Sequence, residues 1–245
     1  MSQAAEAPTR PATELIRQVA VTQTPNGMCF AAAGEVSVPS TELERMVGAV
    51  PRGIAALLDR KAYYFVPLVI SEGDQTLVAE QFSSELVDAA VCHRNVPLGD
   101  SQGVFISTRL MDDRFSVAFE FFINVAHPFV ERSGVSEKFA DLVWEQAKAN
   151  VRGESSLDAF ELRRLATAET GDTEKSRNEY LSATFADAIA VYMLSLYLDV
   201  DYYELRERDY PLLAPSALAE RLRTVNQLFP ANPGYQFEVL YRRRS

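Results

Sequence analysis

Residues Phe115 to Val130 are apolar on nearly every side of a helix, and that run limits what the chain can become. Its polar positions are Ser116, Glu120, Asn124, His127 and Glu131. Their spacing of four, four, three and four draws one line along a helix. A helix apolar on its other sides belongs in a core. The line is then either the wet edge of that core helix or one wall of a cleft, with Glu120 turned to a ligand. A buried Glu120 would have to be paired, hydrogen-bonded or protonated, because an isolated buried carboxylate is costly. Pro128, directly after His127, is expected to bend or break the helix there.

Length and charge narrow the alternatives. A chain of 245 residues buries roughly 70–75% of its unfolded surface, so a core needs no staples. The formal net charge of −10 disfavours nucleic acid and anionic membrane as partners, since both reward clustered Lys and Arg. The run Arg242, Arg243 and Arg244 reads as a solvated tail. The two cysteines, Cys29 and Cys92, match no zinc-finger or redox spacing and read as reduced thiols. The first residues lack the order of a secretory signal, and no apolar run is read as a bilayer span. The expectation is a cytoplasmic protein.

Residues 1–12 read as a disordered leader and 13–245 as one domain, with a strand-bearing part over 13–110 and a helical part over 111–245. A helix is expected after Pro39, carrying Leu43, Met46, Val47 and Val50 on one face. Tyr63 to Ile70 favours a strand that Pro67 breaks or confines to an edge. Ala79 to Val91 is compatible with a helix, and Gly103 to Thr108 with a short strand. Helices are expected over about 113–132, 136–151, 155–168, 174–199 and 215–228. Few strands followed by many helices means an α+β class, mostly helical with a small mixed sheet.

Within the first long helix, Phe119-Glu120-Phe121-Phe122-Ile123 has the shape of His-Glu-x-x-His with both histidines replaced. A zinc hydrolase needs imidazoles at i and i+4 with the glutamate between them as general base. A second helix opens Asn178-Glu179-Tyr180 and runs on to Phe185-Ala186-Asp187. Together these segments resemble the gluzincin metallopeptidases, the family of anthrax lethal factor and the Pro-Pro endopeptidases, over roughly residues 40 to 215. The resemblance implies a zincin-like fold. In it Phe119 and Ile123 stand at the lost ligand positions, Glu120 at the general base and Glu179 at the ligand glutamate. The family's further glutamate falls on Ala183. The tyrosine that steadies the oxyanion has no counterpart, Asp172 lying near its place.

Without the imidazoles, water activation by zinc is lost at its first step. No metal and no cofactor is expected, and the chain is expected not to be a working metallopeptidase. It reads as a pseudoenzyme kept as a peptide- or protein-binding or regulatory module, with Asn124, His127 and Tyr180 facing the cleft. Glu120 and His127 cannot share an ion, because seven residues of helix rise about 10.5 Å and metal bonds are about 2 Å. Two alternatives stay open: a metal-independent hydrolase using Glu120 and Glu179 as acid and base, and an unrelated helical structural or oligomeric protein. Glu179 also suits the first turn of a helix on macrodipole grounds alone. Cys92 and His93 are sequence neighbours, which does not by itself make a nucleophile and its base.

Overall fold

The computed structural model describes residues 8–58, 60–111, 113–168, 173–205 and 210–239. Asp172 and the arginines at 242–244 lie outside them. The class is α+β. The chain divides into two compact units, Met1–Gly48 with Leu58–Phe121, and Ala49–Leu57 with Phe122–Ser245. The division between Phe121 and Phe122 falls inside a helix.

In the first unit β1 (Thr9–Pro11) leads into α1 (Ala12–Gln18), so the expected leader gives way to structure by Thr9. Then come β2 (Thr22–Gln23), β3 (Cys29–Ala32) and α2 (Ser40–Gly48). The short α3 (Arg52–Ala55) counts with the second unit. β4 (Lys61–Val66) and β5 (Leu68–Glu72) are separated by Pro67. Of the two outcomes expected for 63–70, the break at Pro67 is the one found, and the two strands lie in two different sheets. The proline lacks the N–H that a continuous ladder would need.

β6 (Gln75–Ala79) follows, then a 3-10 turn over Ser84–Ala89 and β7 (Ala90–Val91). The stretch over 79–91, compatible with a helix by sequence, thus holds a strand end, a 3-10 turn and a short strand instead. β8 (His93–Leu98) and β9 (Ser101–Ser107) complete the strands. One sheet has the order β2-β3-β4-β9-β8, with β3, β4 and β9 parallel and an antiparallel strand at each edge. The other is antiparallel, β1-β6-β5-β7.

Both faces of the larger sheet are covered. On one, Tyr63 and Phe65 of β4 meet Phe121 of α4 (Arg114–Ser133) at ring distances of 5.0 and 5.7 Å. On the other, Tyr64 and Val66 join Leu15, Phe105 and Val96 in a buried cluster. A parallel strand buried on both sides needs continuous rather than alternating hydrophobicity, which Tyr63-Tyr64-Phe65-Val66 supplies.

The second unit holds α4 from Phe122 onward, α5 (Glu137–Lys148), α6 (Leu157–Ala166), α7 (Thr173–Tyr197) and α8 (Pro215–Leu228). α4 runs on through Pro128. The proline costs the helix one backbone bond, and the packing of Phe129 on Phe229, ring centroids 5.1 Å apart, holds the segment after it. Glu174–Tyr197 is long and apolar enough to cross a membrane, contrary to the sequence expectation. Its most apolar stretch is 78% buried inside the protein, as suits a core helix. Gly153 has φ +79°, and a Cβ there would stand 2.2 Å from the Leu212 carbonyl oxygen. Only glycine lets the two backbones approach and Glu154 pair with Leu212.

Candidate functional site

β8 is the last strand of the larger sheet, paired on one side with β9. Ser107 N–H donates to the Cys92 carbonyl at 2.9 Å, which fixes the alternation of the ladder. Cys92, Arg94 and Val96 turn their backbone groups toward β9, so His93 and Asn95 turn theirs outward. The next outward position, Pro97, has no N–H to offer. His93, Arg94 and Asn95 are all exposed.

Side chains alternate in the same way. Val96 and Leu98 enter the cluster with Leu15 and Phe105, which leaves His93, Asn95 and Pro97 on the α4 side of the sheet. There His93 Nδ1 lies 2.5 Å from Glu120 Oε1. A carboxylate only accepts, so Nδ1–H donates and Nε2 is the nitrogen left over. The side chains are 42% and 19% exposed, so the pair sits at a wet margin beside the strand edge. Cys92 adjoins it. Partial burial pushes its thiol up, and the Glu120 charge pushes it further. That suppresses the thiolate, the form a nucleophile or metal ligand must take.

The other residues singled out from the sequence fall elsewhere. Phe119 and Ile123 are half-buried, and Phe119 stacks on Phe115 at 5.8 Å. Asn124 is buried and His127 exposed. Glu179 is exposed on the first turns of α7 and lies 3.9 Å from Lys175, its neighbour one turn back. Phe122 meets Tyr197 at the far end of α7, 18 residues and roughly 27 Å of helix rise beyond Glu179.

Tyr180, expected to face a ligand, is fully buried, with its hydroxyl donating to Glu154 Oε1 at 2.6 Å. Burial and the Glu154 carboxylate hold its proton well above the ordinary tyrosine range. Arg221 donates to Glu154 Oε2 at 2.8 Å and Arg163 to Oε1 at 3.3 Å. Burial works against the Arg221 charge, but Glu154 outweighs it and holds the guanidinium more firmly charged than usual. Arg163 also ties the carbonyls of Val151 and Gly153, so the cluster pins the loop before α6.

That loop presents Ser155, whose hydroxyl donates to Asp187 Oδ2 on α7 at 2.8 Å. Burial raises the Asp187 carboxyl, while the Ser156 and Ser155 hydroxyls and His127 pull it back. Asp187 is therefore the α7 carboxylate that feels α4. Its signal in the sequence is an acid set within the apolar part of α7, two turns past Glu179. His93, as the partner of Glu120, and Glu154 with its arginines carry no comparable signal, because their partners are 27, 9 and 67 residues away.

Among the described residues no group of three or more His, Cys, Asp or Glu side chains could hold a metal ion. Comparison with protein-family models, with curated proteins and with solved structures gave no match.

Proposed function

We propose that this chain is a metal-free, zincin-like peptide-binding module that takes up an extended segment as an added strand along β8. The observation that carries the reading is the outward-turned backbone of His93 and Asn95 on an exposed terminal strand. Main-chain hydrogen bonds give affinity in strand addition, and alternate side chains give selectivity. Glu120, held by His93 beside that edge, stands at the general-base position of the peptidase resemblance. Phenylalanine and isoleucine, at 119 and 123, donate no lone pair to zinc. The site keeps a place for a peptide and lacks the ligands for cutting it by zinc chemistry. A cytoplasmic location goes with this reading, both cysteines being unpaired thiols.

The test uses heptapeptides selected by display on the whole protein. Asn95→Pro removes one outward donor and leaves the ladder to β9 untouched. It should weaken the selected peptides about tenfold, through one lost hydrogen bond and the intruding ring. Pro97→Ala adds an outward N–H and should tighten them. Selection that enriches nothing, or peptides indifferent to both substitutions, would remove the proposal.

A further inference from the structure

Resting on that reading, we infer that the peptide β8 receives carries an acidic side chain opposite Arg94 and an apolar one two residues along. Arg94 lies between His93 and Asn95, the two residues with outward backbone groups, so an added strand must pass directly beside it. Its side chain is on the face of the sheet away from Glu120, because neighbours along a strand alternate. It is exposed and makes no ion pair among the described residues. In a chain with a net charge of −10, a cation left unpaired at the one position a strand ligand must cross gives that edge a local sign.

Two positions further, the same face turns apolar. Val96 is 6% exposed and Leu98 packs beside it, both in the cluster with Leu15, Tyr64 and Phe105. Side chains of an added strand repeat with period two, so one peptide face meets Arg94 and then the Val96–Leu98 strip. Opposite charges and apolar pairs directly across a ladder each favour pairing, and like charges oppose it. The other peptide face meets His93, Asn95 and Pro97. There the His93 imidazole is held by the Glu120 carboxylate.

The test resynthesises the tightest selected heptapeptide with Glu, Gln or Lys in turn at every position. Binding is measured on the wild-type protein and on Arg94→Glu, Arg94→Gln and Asn95→Pro. Arg94 is exposed, so its replacements should fold, and thermal unfolding checks that they do. One position should prefer Glu over Lys by about tenfold on wild type, lose the preference on Arg94→Gln and reverse it on Arg94→Glu. Raising the salt concentration should shrink the preference. A Gln at the position two residues along should also weaken binding.

A Glu preference unchanged in Arg94→Glu, or no charge-sensitive position at all, overturns the selectivity. If Asn95→Pro still weakens binding in that case, the strand-addition reading stands without it. If Asn95→Pro has no effect either, both fall together.

Discussion

Glu154 has no exposed surface, yet it sits among Arg221, Arg163 and Tyr180 with both oxygens engaged. A buried carboxylate survives only when its lost hydration is replaced by donors of this kind. Glu154→Gln removes the negative charge and leaves two buried guanidiniums facing each other, so it should cost about 3–5 kcal/mol of stability. Arg221→Met should cost a similar amount, and the double variant less than the sum, because the two losses share one interaction. Urea unfolding of the four proteins measures this, and additive losses would show that the residues do not act as a pair. None of it was legible in the sequence. Glu154 falls in the short gap between the helices expected over 136–151 and 155–168, and the ion pairs that make it matter depend on α6 and α8 folding back to it. Glu120 was legible as a residue of interest, but not its partner His93, since nothing in the sequence announces which strand lies beside a helix.

Elements were read more faithfully than residues where one period dominates. α4 was expected over 113–132 and runs Arg114–Ser133, and α8 was expected over 215–228 and runs Pro215–Leu228. Where periodicity is short or mixed, the reading failed. Ala79 to Val91 holds enough apolar residues for a helix, but Ala79 pairs with Leu68 and Thr9, and Ala90 with Ile70. Tertiary pairing overrides local preference in such short stretches. β8 was missed altogether, because His93-Arg94-Asn95-Val96-Pro97-Leu98 is polar and proline-bearing, the composition of an exposed edge. The peptidase resemblance is tested on α4 itself. Phe119→His with Ile123→His places two imidazoles one turn apart on a half-buried surface. A folded double variant should bind zinc by calorimetry and each single variant should not. No heat from the double variant would count against the zincin-like reading.

On the scale of the whole molecule, the chain divides into two compact units, one built on the two sheets and one of helices. Their border at Phe121–Phe122 lies inside one apolar helix, where composition does not change, so the sequence offered no mark for it. What the helical core does impose on the whole protein is a sensitivity to alkali. Tyr180 and Tyr192 are fully buried. The Tyr192 hydroxyl oxygen lies 2.9 Å from Asn226 Oδ1 and 2.8 Å from the Phe229 carbonyl oxygen, and its one proton is shared between these two acceptors. Burial raises both phenols, and Glu154 raises Tyr180 further. In the unfolded chain they ionise near pH 10 as ordinary tyrosines, while the folded protein keeps their protons. The native state then binds more protons than the unfolded one, so stability falls as pH rises above about 10. Each such phenol steepens the fall by about 1.4 kcal/mol per pH unit until its own folded value is reached. Urea midpoints measured upward from that pH should therefore drop steeply in the wild type and less steeply in Tyr192→Phe. Tyrosinate absorbance from the buried phenols should appear with unfolding, not before it. An equal slope in the variant would mean that Tyr192 ionises in the native protein, and that its burial does not hold the proton.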